Sequence, residues 1–328
     1  MRYGSEDWDE VVRVLKGATD VAIACHVNPD GDAIGSLLAV SLGLRKLGAR
    51  TWPTWGTSPA TTPPAYAFLP GADSLVQPEE VPEGVVFVAL DCGAADRLGD
   101  LEAVAKSAPV LVNVDHHPGN GNFGTHNVVV TSASSTAELA AYLLMDAGVE
   151  IDVGIATALY TGIVTDTGRF QYSNSTPETL RLAADLLELG VPAQEVAIEV
   201  FESAPYGFLK LTGRVLDRAV LFADERFVYS WVDRSDLDET GVAIDETEKL
   251  IDFIRATDVA DVAAIFKEQA GGEYRVSLRS KGPVSVGAIA REHGGGGHEL
   301  AAGFTAQDVP GAAAAIRGAI AAQSRGAG

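Results

Sequence analysis

The first half of the chain alternates short apolar runs with longer helical patterns, and this alternation constrains the fold more than any other feature. Residues 20–26, 84–93 and 108–117 each contain a run of mostly apolar residues, rich in valine in the last two segments. Strands of this kind are typical of a parallel sheet that helices cover on both sides. Helical patterns occupy 33–48, 134–148, 154–168 and 176–190. We therefore predict an α/β fold with a doubly wound, mainly parallel sheet.

The second half of the chain is richer in β pattern. Residues 218–233 predict one hairpin, and residues 259–280 predict another that turns at Gly271-Gly272. A helix, a glycine run and a final helix at 310–323 follow. This order predicts a smaller α+β domain at the C-terminal end.

The length of 328 residues suggests two domains. We place the first at 1–190 and the second at 210–328. The segment between them, 191–209, contains Pro192 and Pro205, and we interpret it as a connector and hinge.

The charge balance restricts the partners of the protein. The chain has 45 acidic and 24 basic residues, a formal net charge of −21. Binding of long nucleic acid through bulk electrostatics needs clustered lysine and arginine, so we expect no long nucleic acid as a partner. A small anionic substrate in one local pocket is compatible with this charge.

The sequence also predicts where the protein acts. Two cysteines, Cys25 and Cys92, are too few for a disulfide scaffold, and we expect both to be small buried apolar residues. The N-terminus is polar and acidic, unlike a signal peptide. No apolar run approaches the length of about 18 residues that spans a membrane. We predict a cytoplasmic protein without a membrane partner.

Side chains that can bind metals follow the predicted strands. In chain order they are His26, Asp30, Asp32, Asp91, Asp115, His116, His117 and, at the end of a helix, Asp166. Ligands of open α/β sheets bind at the carboxyl ends of the strands, so three strand ends are expected to meet at one crevice.

Five carboxylates in one crevice repel one another unless cations or protons neutralise them. Imidazole mixed with carboxylate suits Mn²⁺, Fe²⁺, Co²⁺ or Zn²⁺ better than Ca²⁺. The donors exceed what one ion takes, and two ions sharing a carboxylate would use them. Taken singly, His26 could be a hydrogen-bonded structural histidine, and Asp32 could cap the helix that follows it.

A second group of polar residues lies near the C-terminus. Four glycines, Gly294–Gly297, precede His298, and Arg279 and Lys281 lie upstream. Such a glycine run is compatible with backbone amides approaching an anion, and also with a flexible loop that binds nothing.

These segments together resemble a known family. The sequences HVNPDGDAIGS, ALDCG, VDHHPGN and TDTG, in that order, resemble the four motifs of the DHH phosphoesterase superfamily. The later SLRSKG and GGGGHELAAGF resemble its DHH-associated C-terminal domain. Spacing and length are most similar to the NrnA-like branch of oligoribonucleases and pAp phosphatases, some of which cleave cyclic di-AMP.

The resemblance implies a role for each matching residue. One metal would be held by His26, Asp30 and Asp91, and the other by Asp32, Asp91, His116 and Asp166. Asp115 would orient a ligand and His117 would face the substrate phosphate. Substrate would be bound by Arg279, Gly295, Gly296, Gly297 and His298. The cofactors would be two divalent ions, Mn²⁺ first, with Mg²⁺ or Co²⁺ as alternatives.

The expected activity is hydrolysis of a small nucleotide or short RNA, such as pAp, pApA or cyclic di-AMP, by a metal-activated water. The resemblance also suggests a homodimer. The rival functions are a RecJ-like exonuclease on single strands, an inorganic pyrophosphatase or polyphosphatase, and a nucleotide-binding protein without turnover.

Overall fold

The computed structural model describes residues 7–326, apart from the side chains of residues 245 and 325. The chain divides into two compact units, one ending at Ser203 and the other beginning at Ala204. This division lies within the segment 191–209.

The first unit is built on a five-stranded parallel sheet. Its strands are β1 (Asp20–Cys25), β2 (Arg50–Trp55), β3 (Val86–Leu90), β4 (Leu111–Asp115) and β5 (His126–Val129). Its helices are α1 (Trp8–Gly17), α2 (Gly31–Lys46), α3 (Glu102–Ser107), α4 (Thr136–Asp146), α5 (Val153–Asp166), α6 (Pro177–Glu188) and α7 (Ala193–Ala197). The strand order is β2-β1-β3-β4-β5, and every pairing is parallel. This order is one of the two common doubly wound arrangements, and it confirms the predicted fold class.

The strands of the first unit are apolar because both faces of their sheet are buried, as the sequence predicts. All five residues of β4 are buried, as are five of the six in β1. One face packs against α2, α4 and α5, and the other packs against Leu98, Leu101 and Ala105 of the β3–β4 connection. Helices α2 and α5 approach so closely that a Cβ on Gly35 would lie 2.5 Å from the carbonyl oxygen of Ala158.

The second unit has a six-stranded mixed sheet. Its strands are β6 (Val220–Phe222), β7 (Phe227–Val232), β8 (Val262–Glu268), β9 (Tyr274–Ser280), β10 (Gly296–Gly297) and β11 (Ala301–Ala306), in the order β10-β11-β9-β8-β7-β6. Its helices are α8 (Tyr206–Asp217), α9 (Arg234–Thr240), α10 (Leu250–Arg255), α11 (Val286–Glu292) and α12 (Val309–Gly326). Both predicted hairpins are confirmed, β6–β7 and β8–β9.

Two apolar layers lie against this second sheet. One contains Val286, Ile289 and Ala290 of α11 with Ile316 and Ile320 of α12. The other layer comes from α8, α9 and α10. The α+β composition predicted for this half of the chain is therefore confirmed.

The segment 191–209 is more helical than its prolines indicate. Helix α7 continues into a π-helical turn at Ile198–Glu202, and α8 begins at Tyr206. Pro192 and Pro205 are the residues immediately before these helices. Proline is well tolerated at a helix start, where the missing N–H has no helical acceptor, so these two prolines begin helices rather than mark a loop.

No helix among residues 7–326 is both long enough and apolar enough to cross a bilayer.

Candidate metal centre

The carboxyl ends of β1, β3 and β4 are neighbours in the sheet, and the polar side chains predicted from the sequence meet there. His26 directly follows β1, Asp91 directly follows β3, and Asp115 ends β4. The strand order reverses between β1 and β3, and the crevice at such a reversal is where ligands of doubly wound sheets bind.

One group of donors consists of His26, Asp30 and Asp91, whose ligand atoms all lie within 4.8 Å of one another. Nε2 of His26 is 3.8 Å from Oδ2 of Asp30 and 3.6 Å from Oδ2 of Asp91. Nδ1 of the same ring lies 2.9 Å from the carbonyl oxygen of Val27. A hydrogen bond at Nδ1 orients the ring and leaves Nε2 as the nitrogen directed at the carboxylates.

A second group consists of Asp32, His116 and Asp166, again within 4.8 Å of one another. Nε2 of His116 is 3.9 Å from Oδ2 of Asp32 and 3.5 Å from Oδ2 of Asp166. It is also 3.8 Å from Oδ1 of Asp91. The two carboxylate oxygens of Asp91 therefore face different groups, Oδ2 toward His26 and Oδ1 toward His116.

Asp91 adopts an unusual backbone conformation. Its φ is 59°, in the left-handed region that non-glycine residues rarely adopt. Two hydrogen bonds hold it there. Its N–H donates to the carbonyl of Val114, and Oγ1 of Thr136 donates to its Oδ1 over 3.0 Å. Strain of this kind costs about 1–3 kcal/mol and is concentrated at functional sites.

Asp32 is held by the start of a different helix. The backbone N–H groups of Thr136 and Ala137, at the beginning of α4, donate to Oδ2 and Oδ1 of Asp32 over 2.6 Å and 2.8 Å. The cap of α2 is instead Asp30, whose Oδ1 accepts from the amides of Asp32 and Ala33. The alternative that Asp32 caps α2 is therefore wrong, because Asp32 already belongs to the first turn.

Asp115 and His117 form a hydrogen-bonded pair beside the two groups. Asp115 is fully buried, and its Oδ1 lies 2.8 Å from Nδ1 of His117. Nδ2 of Asn120 donates to Oδ2 of Asp115 over 2.6 Å. Sequence reasoning missed Asn120, although it ends the VDHHPGN motif and its position there was a usable signal.

Asp166 has a carboxamide partner of its own. Nδ2 of Asn174 lies 3.4 Å from Oδ2 of Asp166 and donates to the backbone carbonyls of Asp166 and Ser134. Sequence reasoning missed Asn174 and Thr136 as well. Neither has a sequence signal, since each reaches the site only through tertiary packing.

The electrostatics of the cluster show an excess of buried negative charge. Burial, followed by the charges of Asp91 and Asp166, raises the pKa of Asp32 well above its usual range. Burial also raises the pKa of Asp166, to about 7. Burial opposes ionisation of Asp91, but the close approach of His26 and the charges of the neighbouring imidazoles lower its pKa.

The pKa of His117, whose ring faces these carboxylates, is also raised. Burial alone would lower the pKa of His117, but its bond to Asp115 and the charge of Asp91 raise the pKa to about 9. Protons thus do what a cation would do in this cluster, which is to offset carboxylate charge. Imidazole nitrogens and carboxylate oxygens at these separations form a donor set that fits divalent transition metals.

Both cysteines that neighbour the strand ends are fully buried, as predicted. Burial, the largest effect, raises the pKa of each thiol well above its usual value.

The residues predicted to bind substrate all lie in the second unit. Arg279 is on β9, opposite Ala301 of β11. Gly296 and Gly297 form β10, which pairs with Gly303 and Ala302 of β11, so the glycine run is an edge strand rather than a free loop. His298 follows this strand and is partly exposed.

Packing explains most of the glycine run. A Cβ on Gly295 would lie 2.1 Å from the carbonyl oxygen of Gly303, and one on Gly297 would lie 2.6 Å from that of Ala301. A Cβ on Gly296 would meet nothing within 4 Å. Close pairing with β11 thus requires glycine at two of these three positions, whether or not an anion binds.

Two known protein families match this chain, one within each compact unit. Residues 20–163 match the DHH family, N-terminal domain, and residues 224–323 match the DHHA1 domain. The match at 20–163 includes every residue of the two donor groups except Asp166.

A curated relative covers nearly the whole chain. The bifunctional oligoribonuclease and PAP phosphatase NrnA of Thermus thermophilus is 35% identical over 297 residues, which are 90% of this chain and 86% of that protein.

Solved structures share the fold at lower identity. An exopolyphosphatase-related protein from Bacteroides fragilis superposes with a TM-score of 0.89 at 23% identity, over 96% of this chain and 95% of that one. RecJ from Thermus thermophilus in complex with Mn²⁺ superposes with a TM-score of 0.59 at 16% identity, over 97% of this chain and 55% of that one. The matched domains and the NrnA relative together establish that this chain belongs to the DHH family of phosphoesterases, in its NrnA-like branch with a C-terminal DHHA1 domain.

Proposed function

We propose that this protein hydrolyses phosphate esters of small nucleotides, namely short oligoribonucleotides such as pApA, and pAp, with cyclic di-AMP as a further substrate. The observation that carries the proposal is the pair of donor groups at the carboxyl ends of β1, β3 and β4, in which Asp91 belongs to the first group and lies 3.8 Å from His116 of the second. The Thermus relative, named an oligoribonuclease and PAP phosphatase, supports this substrate class.

Two divalent ions fit the donors. His26, Asp30 and Asp91 would hold one ion, and Asp32, Asp91, His116 and Asp166 would hold the other. Mn²⁺ is our first choice, with Mg²⁺ and Co²⁺ as alternatives, and a RecJ neighbour was solved with Mn²⁺. When bound, two such ions lower the pKa of a water between them and stabilise charge on the phosphoryl oxygens.

The remaining residues of the crevice position charge for this reaction. Asp115 orients the ring of His117 and favours its charged form, which suits contact with a phosphate oxygen. Asn120 fixes the carboxylate of Asp115 in turn. Removing such a partner typically costs 10–100-fold in affinity or activity at metal sites, about the effect we expect here.

The second unit would supply substrate binding. Arg279 can bind a phosphate bidentately, and the amides of Gly295, Gly296 and Gly297, with His298, would complete an anion site. Cytoplasmic location and a homodimer stay predictions from the sequence, as does a hinge within 191–209.

The test is a substrate panel with purified protein. We expect AMP from pAp and mononucleotides from pApA in Mn²⁺, with EDTA abolishing both. A 20-nucleotide single strand and inorganic pyrophosphate are the comparison substrates. Faster turnover of the long strand would favour a RecJ-like exonuclease, and orthophosphate from pyrophosphate alone would favour a pyrophosphatase. Tight binding without turnover in any metal would contradict the proposed enzyme.

A further inference from the structure

One face of the sheet in the second unit is apolar on some strands and carries polar and small residues on others. On β7 and β8, this face carries Val228, Val232, Ala263 and Ile265, which are buried under α8–α10. On β9 and β11, the same face carries Arg275, Ser277, Arg279, Ala301, Gly303 and Thr305. Within residues 7–326, the apolar layer of α8–α10 has no member on β9 or β11. We call this second set the open half-face.

The open half-face presents two arginines without acidic partners. Arg275 and Arg279 are four residues apart on β9, so their Cα atoms are about 13 Å apart. Neither forms an ion pair with any carboxylate that the structure describes, whereas Arg218, Arg226 and Arg317 of the same unit each do. Two unpaired guanidiniums on one strand are notable in a chain with a net charge of −21.

A third cation lies next to them. Lys267 on β8 is directly opposite Arg275, and its side chain is only 2% exposed. Its Nζ donates to Oε1 of Glu248 over 2.5 Å. Burial lowers the pKa of Lys267, Glu248 opposes this, and both arginines add to the lowering, so all four groups interact. Three cations and one carboxylate leave a local charge of about +2 when all are ionised.

The floor between the two arginines is made of small side chains. Ser277 is buried, Gly303 has no side chain, and Ala301 lies opposite Arg279. A ligand that spans the two guanidiniums would therefore meet no large side chain of β9 or β11 between them. This arrangement fits an extended polyanion better than a single phosphate group.

We propose that Arg275, beside Lys267, forms a second phosphate subsite that binds one phosphate further along the substrate than Arg279 does. The inference rests on the proposed function and deepens it, because the subsite would read substrate length. pAp and pApA each have two phosphates, one to be hydrolysed and one for Arg279. The trinucleotide pApApA has three, and only its third phosphate needs Arg275.

The test measures binding of pAp and pApApA by calorimetry in EDTA, where nothing is hydrolysed, with R275Q as the variant. R234Q is the matched control, since Arg234 is an exposed arginine of the same unit, on α9, and is not a member of the open half-face. We expect R275Q to lower the affinity for pApApA about tenfold, which is the effect of losing one charged hydrogen bond. The affinity of R275Q for pAp should stay within about twofold of wild type. R234Q should change neither.

Salt dependence provides a readout that a change in folding would not mimic. For a single strand, each phosphate contact contributes about −0.7 to the slope of log K against log salt concentration. For pApApA, the slope measured with R275Q should be about 0.7 less steep than that of wild type, and for pAp it should be unchanged. R275K keeps the charge and should keep the wild-type slope for both nucleotides. Circular dichroism would verify that all variants are folded.

The outcomes separate the subsite from the underlying function. Equal affinity of wild type and R275Q for pApApA, or equal weakening of pAp and pApApA, would overturn the subsite while the proposed function stands. If wild type binds neither nucleotide in EDTA and hydrolyses neither in Mn²⁺, the proposed function fails and the subsite fails with it.

Discussion

The two sheets of this molecule carry their candidate functional residues in different places. In the first unit the parallel sheet is buried on both faces, so its polar residues lie only beyond the ends of its strands. In the second unit the mixed sheet leaves half of one face without an apolar layer, and its cations lie along the strands. Parallel sheets need helices on both faces, whereas antiparallel strands can leave a face to solvent.

The candidate functional residues of the two units also differ in how deeply they are buried. Asp32, Asp91 and Asp115 are at most 3% exposed, and each is held by named donors. Arg275 is exposed and forms no ion pair with the carboxylates that the structure describes. Substitutions in the buried cluster should therefore act through several contacts at once, and those on the second sheet through one.

The largest expected effect is at Asp91, the carboxylate that faces His26 of one donor group and His116 of the other. D91N should lower kcat for pAp by about a thousandfold, since it removes several kcal/mol of metal-dependent stabilisation. Bound Mn²⁺, measured by elemental analysis after dialysis, should fall with it. The exposed Asp96 provides the control D96N. Equal metal content in D91N and wild type would contradict the ligand assignment.

A smaller effect is expected at Thr136, which touches the cluster without belonging to it. T136V removes the Oγ1 donor to Asp91 but keeps the backbone N–H that binds Asp32. Activity in Mn²⁺ should fall about 10–100-fold, as for other groups that orient metal ligands. T136S restores the hydroxyl and should recover most of it. If T136S is as impaired as T136V, packing rather than the hydrogen bond is responsible.

In the second sheet, the glycine run offers a matched pair. G295A should destabilise the protein by about 1–3 kcal/mol, because its Cβ would overlap the backbone of β11. G296A has open space and should stay within about 0.5 kcal/mol of wild type. Urea unfolding measures both. If G296A keeps its stability but loses affinity for pAp, the glycine run acts on substrate as well as on packing.

The smallest effect is the pH dependence of stability without metal. Asp166 has a folded pKa of about 7 and His117 of about 9, both above their unfolded values. The folded state therefore binds more protons than the unfolded state between about pH 4 and 9, and stability falls as pH rises through this window.

Thermal melting in EDTA at pH 5.5, 7 and 8.5 would measure this fall as a Tm lower by a few degrees. Surface charge contributes equally with and without metal, so the same series in Mn²⁺ is the control. A Tm profile that Mn²⁺ does not flatten would argue that the titrating groups lie outside the cluster.

Sequence reasoning predicted the first sheet well because buried parallel strands are nearly continuous apolar runs. It missed β5, since the residues HNVV mix polarity in a strand of four. It located His26, Asp91 and His116 because each lies where an apolar run ends, and the end of such a run can be identified in the sequence. Thr136 and Asn174 could not be found in this way, since they reach Asp91 and Asp166 from 45 and 8 residues away.

The contact between Asp32 and the first amides of α4 has a consequence for how an ion would be exchanged at the proposed metal site. Both oxygens of this carboxylate are positioned by backbone groups, and backbone groups are set when the helix forms. The entropy cost of ordering the Asp32 carboxylate is therefore incurred during folding, before an ion binds. Loading and release at this position should then proceed without remodelling of the chain, and discrimination among cations should depend on their size and coordination preference.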